Sequence, residues 1–95
     1  MKLTAAELGN KLDLARSRFP RHSVWQHYKG GVYEVIDHTI LTDDELHTLV
    51  VYRRIGGPAF YSVDERGITY ARPIAEWTEI VEKDDLYLAR FRRIA

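Results

Sequence analysis

The stretch Ser23-Val24-Trp25-Gln26-His27-Tyr28-Lys29-Gly30-Gly31-Val32-Tyr33-Glu34-Val35-Ile36-Asp37-His38 decides the fold. Ser23 to Tyr28 and Val32 to His38 are rich in aromatic and β-branched residues, which suit a pleated, half-buried surface. Between them Lys29-Gly30-Gly31 supplies residues that tolerate the positive φ of a tight turn. The stretch therefore predicts an antiparallel hairpin.

Working toward the C-terminus, Thr42 to Glu45 is a polar break, and Leu46 to Arg54 reads as a strand centred on Leu49-Val50-Val51-Tyr52. Gly56-Gly57-Pro58 closes it. Ala59 to Val63 and Ile68 to Arg72 flank Asp64-Glu65-Arg66-Gly67, a type I turn sequence that predicts a second hairpin. Pro73 opens a short turn through Trp77, Thr78 to Glu82 returns to an extended pattern, Lys83-Asp84-Asp85 turns, and Leu86 to Arg93 reads as one final strand.

Toward the N-terminus, Thr4 with Glu7 three residues on forms a capping box, and Leu3 and Leu8 are spaced as a hydrophobic staple. A helix from about Ala5 to Arg16 follows, with Leu8, Leu12 and Ala15 on one face. Phe19-Pro20 ends it, because a residue before proline is pushed out of the helical region. Short strands joined by tight turns, without crossover helices, predict a mainly β (α+β) domain. The expected form is a small SH3-like antiparallel β-barrel or bent sheet over residues 20–95, with residues 1–19 as a helical extension.

The 95 residues suffice for one core. Fourteen Lys and Arg balance fourteen Asp and Glu, so whole-molecule attraction to nucleic acid is not built in. The distribution is uneven: residues 1–31 hold six basic residues and two acids, whereas residues 32–51 hold five acids and no Lys or Arg. The lack of cysteine excludes disulfides and thiolate metal sites. With no long apolar run and no signal-peptide pattern, the sequence predicts a cytoplasmic protein with no membrane contact.

In order along the chain, His27-Tyr28-Lys29-Gly30, Tyr33-Glu34-Val35, Val50-Val51-Tyr52-Arg53, Arg72-Pro73 and Arg90-Phe91 resemble the domain of unknown function 1653 family, small bacterial and phage domains with an HYKG, YEV, VVYR, RP order. The resemblance covers Trp25 to Ile94 and leaves the N-terminal helix outside. Two loops depart from the pattern, Asp37 to Leu49 and Ala59 to Gly67. The resemblance implies a compact β domain and carries no established activity.

Trp25, His27, Tyr28, Lys29, Tyr33, Tyr52, Arg53, Tyr70 and Arg72 form the candidate ligand-binding set, because rings beside guanidinium groups suit nucleotides or nucleic acid. The competing reading is that Tyr and Trp build the core and Arg stems cover them. Lys29-Gly30-Gly31 reads either as an anion-binding nest or as a plain hairpin turn. His22, His27, His38 and His47 match no metal-ligand spacing and read as solvated or core-satisfied imidazoles. Ser23 and Ser62 lack a nucleophile-elbow setting, and the acids at Asp43-Asp44-Glu45 and Asp84-Asp85 read as solvated turn residues.

No catalytic residue, metal site or cofactor is therefore assigned. The expected function is a non-enzymatic binding module recognising a nucleotide, nucleic acid or protein segment, in one version a homo-oligomer that sequesters a nucleotide. The alternative is an interaction domain that self-associates or docks a partner protein through its N-terminal helix.

Overall fold

The computed structural model describes residues 3–60 and 67–95. The chain order is α1 (Ala5–Arg18), β1 (Val24–His27), β2 (Val32–Ile40), β3 (Thr48–Gly56), β4 (Tyr70–Pro73), α2 (Ile74–Trp77), β5 (Ile80–Lys83), β6 (Leu86–Ala89) and β7 (Phe91–Arg93). The fold is mainly β with one N-terminal helix. The capping box forms as predicted: Glu7 N–H donates to Thr4 Oγ1 at 3.1 Å and Thr4 N–H to Glu7 Oε1 at 3.2 Å.

All strand pairs are antiparallel. The main sheet has five strands in the order β4-β3-β2-β1-β7, and β5 and β6 form a separate hairpin. The barrel is thus corrected to an open sheet, with β4 and β7 as its two edges among the described residues. Two further expectations change. Residues 70–73 pair with β3, Ala59 and Phe60 lie in a turn rather than a strand, and the rest of the expected second hairpin, residues 61–66, lies outside the described residues. The last strand breaks at Arg90, so β6 joins β5 while β7 crosses to β1.

The turns follow their residue types. Gly30 has φ 104°, as the first hairpin requires. Asp84 and Asp85 both take positive φ, the pattern of a two-residue hairpin turn matched to strand twist. Gly57, at φ 96°, lies so close to the first turn that a Cβ there would sit 2.5 Å from the Gly30 carbonyl oxygen.

The core comprises Phe19, Val35, Val50, Tyr52, Trp77 and Phe91. A register shift between Val35 and Asp37 gives β2 one extra residue, so Val35 and His38 are both buried despite their odd spacing. Helix α1 packs on β2 and β3, and α2 on β3 and β4. Arg16 and Arg21 both donate to Asp37 Oδ1 at 3.1 Å, tying the helix and its exit to β2. His38 donates from Nε2 to the Phe19 carbonyl at 2.7 Å, since a carbonyl can only accept. No helix among the described residues is long and apolar enough to cross a membrane.

Candidate functional site

Side chains alternate along a strand, so cross-strand partners share a face. The registers Trp25↔Tyr33, His27↔Phe91, Tyr33↔Arg54, Val35↔Tyr52, Val50↔Arg72 and Tyr52↔Tyr70 place all of these residues on one face of the sheet. Trp77 of α2 packs onto that face against Tyr52 and Phe91. Beyond Phe91 the face opens into a cavity of about 480 Å³.

Eleven residues line it: His27, Tyr28, Lys29, Gly31, Tyr33, Tyr52, Arg54, Pro58, Arg72, Arg90 and Phe91. Six of the nine predicted site residues therefore meet here. The other three do not. Trp25 belongs to the core end of the face: its indole packs on Phe19 and Trp77, and its Nε1–H donates to Ser23 Oγ at 2.8 Å. Arg53 lies on the opposite face, paired with Glu34 at 2.7 Å. Tyr70 packs beside Tyr52, with ring centroids 5.7 Å apart, outside the lining.

Sequence reasoning missed Arg54 and Arg90. Strand parity identifies the first, since Arg54 is in phase with Val50 and Tyr52 while Arg53 is not. Arg90 depends on the break that ends β6, which nothing in Leu86 to Arg93 marks.

Each cation is held differently. Arg72 Nε donates to the Tyr52 hydroxyl at 3.3 Å, and its guanidinium carbon lies 5.7 Å from the Phe91 ring centroid. Arg54 Nε donates to the Gly56 carbonyl at 3.1 Å and its Nη2 to the Pro58 carbonyl, fixing the plane of the fork. Arg90 pairs through Nη2 with Glu79 Oε2 at 3.2 Å, and its buried Nε has no hydrogen-bond partner among the described residues. Lys29 is exposed, with Nζ 5.7 Å from the Tyr28 ring centroid. No carboxylate stands among the described lining residues.

His27 reports this field. Its pKa is lowered to about 4, first by burial and then by the charges of Arg72, Arg90 and Lys29. Lys29 N–H donates to His27 Nδ1 at 3.1 Å, so the neutral ring carries its proton on Nε2. The same contact favours the hairpin-turn reading of Lys29-Gly30-Gly31 over the nest. Lys29 N–H goes to the His27 ring and Gly30 N–H to the His27 carbonyl at 2.8 Å, so two of the amides a nest would need are already used. Gly31 matters differently: a Cβ there would meet the Tyr33 hydroxyl at 2.9 Å and push that ring from the wall.

The other predicted groups fall elsewhere. His47 lies between Asp43, at 2.7 Å, and Glu45, at 2.9 Å, while the Glu45 side chain stays 76% exposed. A groove of about 290 Å³ between α1 and the start of α2, lined by Leu14, Ala15 and Ile74, contains none of the nine candidates. Among the described residues no His, Cys, Asp and Glu cluster is placed to hold a metal ion.

A family described as a protein of unknown function (DUF1653) matches residues 23–93. The chain belongs to the DUF1653 family. The match begins after α1 and contains every residue of the cavity lining. A crystal structure of another DUF1653 protein, from Bordetella bronchiseptica, superposes with a TM-score of 0.60 at 25% identity, covering 78% of this chain and 86% of that one. Among curated proteins, none matches. DUF1653 membership thus comes with a shared fold.

Proposed function

We propose that this DUF1653 domain is a binding module for a phosphorylated small molecule, of the nucleotide class, held in the cavity between His27, Tyr52, Arg72 and Arg90. The observation that carries the reading is the meeting of Lys29, Arg54, Arg72 and Arg90 around one aromatic-walled cavity whose described lining has no carboxylate. Like charges gathered around one cavity favour an anion. Arginine forks match phosphate oxygens in pairs, and Arg90 Nε is a buried donor in need of an acceptor. The rings of Tyr28, Tyr33 and Phe91 suit a planar group beside the charge.

The state of His27 favours a binding role for this side chain over general-base catalysis. An imidazole with a pKa near 4 is a weak base at neutral pH, and its Nδ1 is already engaged by the turn. In this cavity it serves as an Nε2–H donor, which adds to the selection for acceptors.

The alternative, assembly through the N-terminal helix, has less support. Ala15 is 3% exposed, Leu8 and Leu12 are half-buried, and α1 is tied to β2 through Asp37, so the face expected to recruit a partner is largely occupied within the chain. Native mass spectrometry of freshly purified protein tests both readings. A phosphorus-containing adduct displaced by added pyrophosphate supports the cavity. An adduct-free spectrum that stays unchanged in millimolar pyrophosphate and nucleoside diphosphate contradicts it, and the same spectrum reads the subunit number.

A further inference from the structure

Behind the wall formed by His27 and Tyr28 lies a second cavity, of about 270 Å³, lined by Gln26, His27, Tyr28, Gly30, Leu88, Ala89 and Arg92. The two cavities share His27 and Tyr28, and the first hairpin turn divides between them, with Gly31 lining one and Gly30 the other. Their chemistry differs. The larger is lined by four basic side chains, whereas the smaller has the aliphatic Leu88 and Ala89, two rings and a single guanidinium. That guanidinium is partly committed, because Arg92 Nη2 donates to Gln26 Oε1 at 2.8 Å.

Resting on the reading of the larger cavity as a phosphate site, we infer that the smaller cavity is the subsite for the planar heterocycle of the same ligand, so that one nucleoside diphosphate spans the His27–Tyr28 wall with its phosphates among the arginines and its base between Tyr28 and Leu88. Size supports a subsite over a separate site: binding pockets for drug-sized ligands run from roughly 300 to 1,000 Å³, and the smaller cavity falls below that range. Chemistry supports a base. A flat, weakly polar group meets apolar surface and ring faces, while the Arg92–Gln26 pair offers its edge polar partners.

The position also gives the β5–β6 hairpin a role. Leu88 and Ala89 lie on β6, and Lys83 at the end of β5 brings its Nζ within 5.9 Å of the Tyr28 ring centroid, where Lys29 Nζ already lies 5.7 Å away. Two cations converging on one ring raise the positive potential along the path between the cavities. A diphosphate crossing that wall meets both.

Calorimetric titration of the intact chain with pyrophosphate and with ADP, GDP, CDP and UDP tests the inference, in the native protein and in Ala89→Trp. Ala89 is exposed on a strand, where tryptophan is tolerated, so the indole fills the smaller cavity at little cost to the fold. At least one nucleoside diphosphate is expected to bind about tenfold more tightly than pyrophosphate, and Ala89→Trp to remove that advantage while leaving pyrophosphate unchanged. Arg92→Ala, a smaller change, is expected to reduce the same advantage in part. If pyrophosphate binds and none of the four nucleotides improves on it, or if Ala89→Trp weakens pyrophosphate equally with circular dichroism unchanged, the base subsite is wrong and the phosphate site stands. If neither pyrophosphate nor any nucleotide binds, the phosphate site itself is wrong and the subsite falls with it.

Discussion

The indole of Trp77 stacks on the ring of Phe91, with centroids 3.7 Å apart and planes 5° from parallel. Around the same Phe91 ring stand His27, at 4.9 Å between centroids, and the Arg72 guanidinium, at 5.7 Å. One side chain is thus both core and cavity wall. The packing that stabilises the sheet also holds two of the polar groups assigned to the ligand.

Phe91→Ala removes that shared element. For a phenylalanine only 6% exposed, the loss of buried surface plus the cavity left behind costs about 3–5 kcal/mol. That is a large fraction of the stability of a domain this size. Urea unfolding checks it: the midpoint is expected to fall steeply for Phe91→Ala, and less for Phe91→Leu, which refills part of the volume.

His27 sets a pH dependence that can be separated from the rest. Its folded pKa, about 4, lies below the ordinary 6.5, so between those values the unfolded chain takes up a proton that the folded chain refuses. Stability contributed by the neutral ring is complete above pH 6.5, declines as the pH falls toward 4, and levels off below it. The slope in that window approaches about 1.4 kcal/mol per pH unit from this group alone. His27→Gln is expected to flatten the window, and an NMR titration of Arg72→Gln to show the His27 pKa moving up as one repelling charge is lost.

Asp37 governs the next window down. The Arg21 guanidinium holds its carboxyl well below the usual range, with help from the His38 amide and Arg16 against an opposing effect of burial. A depressed carboxylate contributes stability that is present above its unfolded pKa of about 3.9 and is lost as the pH falls further. Because the Asp37 side chain is 39% exposed, solvent screening reduces the contribution to on the order of 1 kcal/mol. Asp37→Asn is expected to lower stability by that amount at pH 7, and the difference from the native protein is expected to shrink as the pH falls from 4 toward 2, read from urea midpoints across that range.

What the sequence made legible was local. The Thr4 to Glu7 capping box, the glycine turn at Gly30 and the hairpin turn at Asp84-Asp85 each depend on a few neighbouring residues and form where expected. What it hid depends on pairing. The break at Arg90 becomes visible only when β7 leaves β6 for β1, because Tyr87, Ala89 and Phe91 continue the alternation without interruption. The open sheet was hidden for the same reason, since strand counts do not say whether the edges meet. Trp25 shows the limit of composition: it shares the face of His27 but lies at the covered end, against Phe19 and Trp77. Arg53 and Arg54 show the reverse. Their order in phase with Val50 and Tyr52 already separates the two faces, once period two is applied to the pair.

That pair provides the control for the central claim, that the arginines of one face form an anion site. Pyrophosphate is titrated by calorimetry into the native protein, Arg72→Gln and Arg53→Gln at low and high salt. The cationic cavity predicts saturable binding to the native chain that weakens with salt, a loss of about tenfold or more in Arg72→Gln, as removal of one charge-assisted bond implies, and native affinity in Arg53→Gln. No binding to the native chain, or an equal loss in both variants, would contradict it.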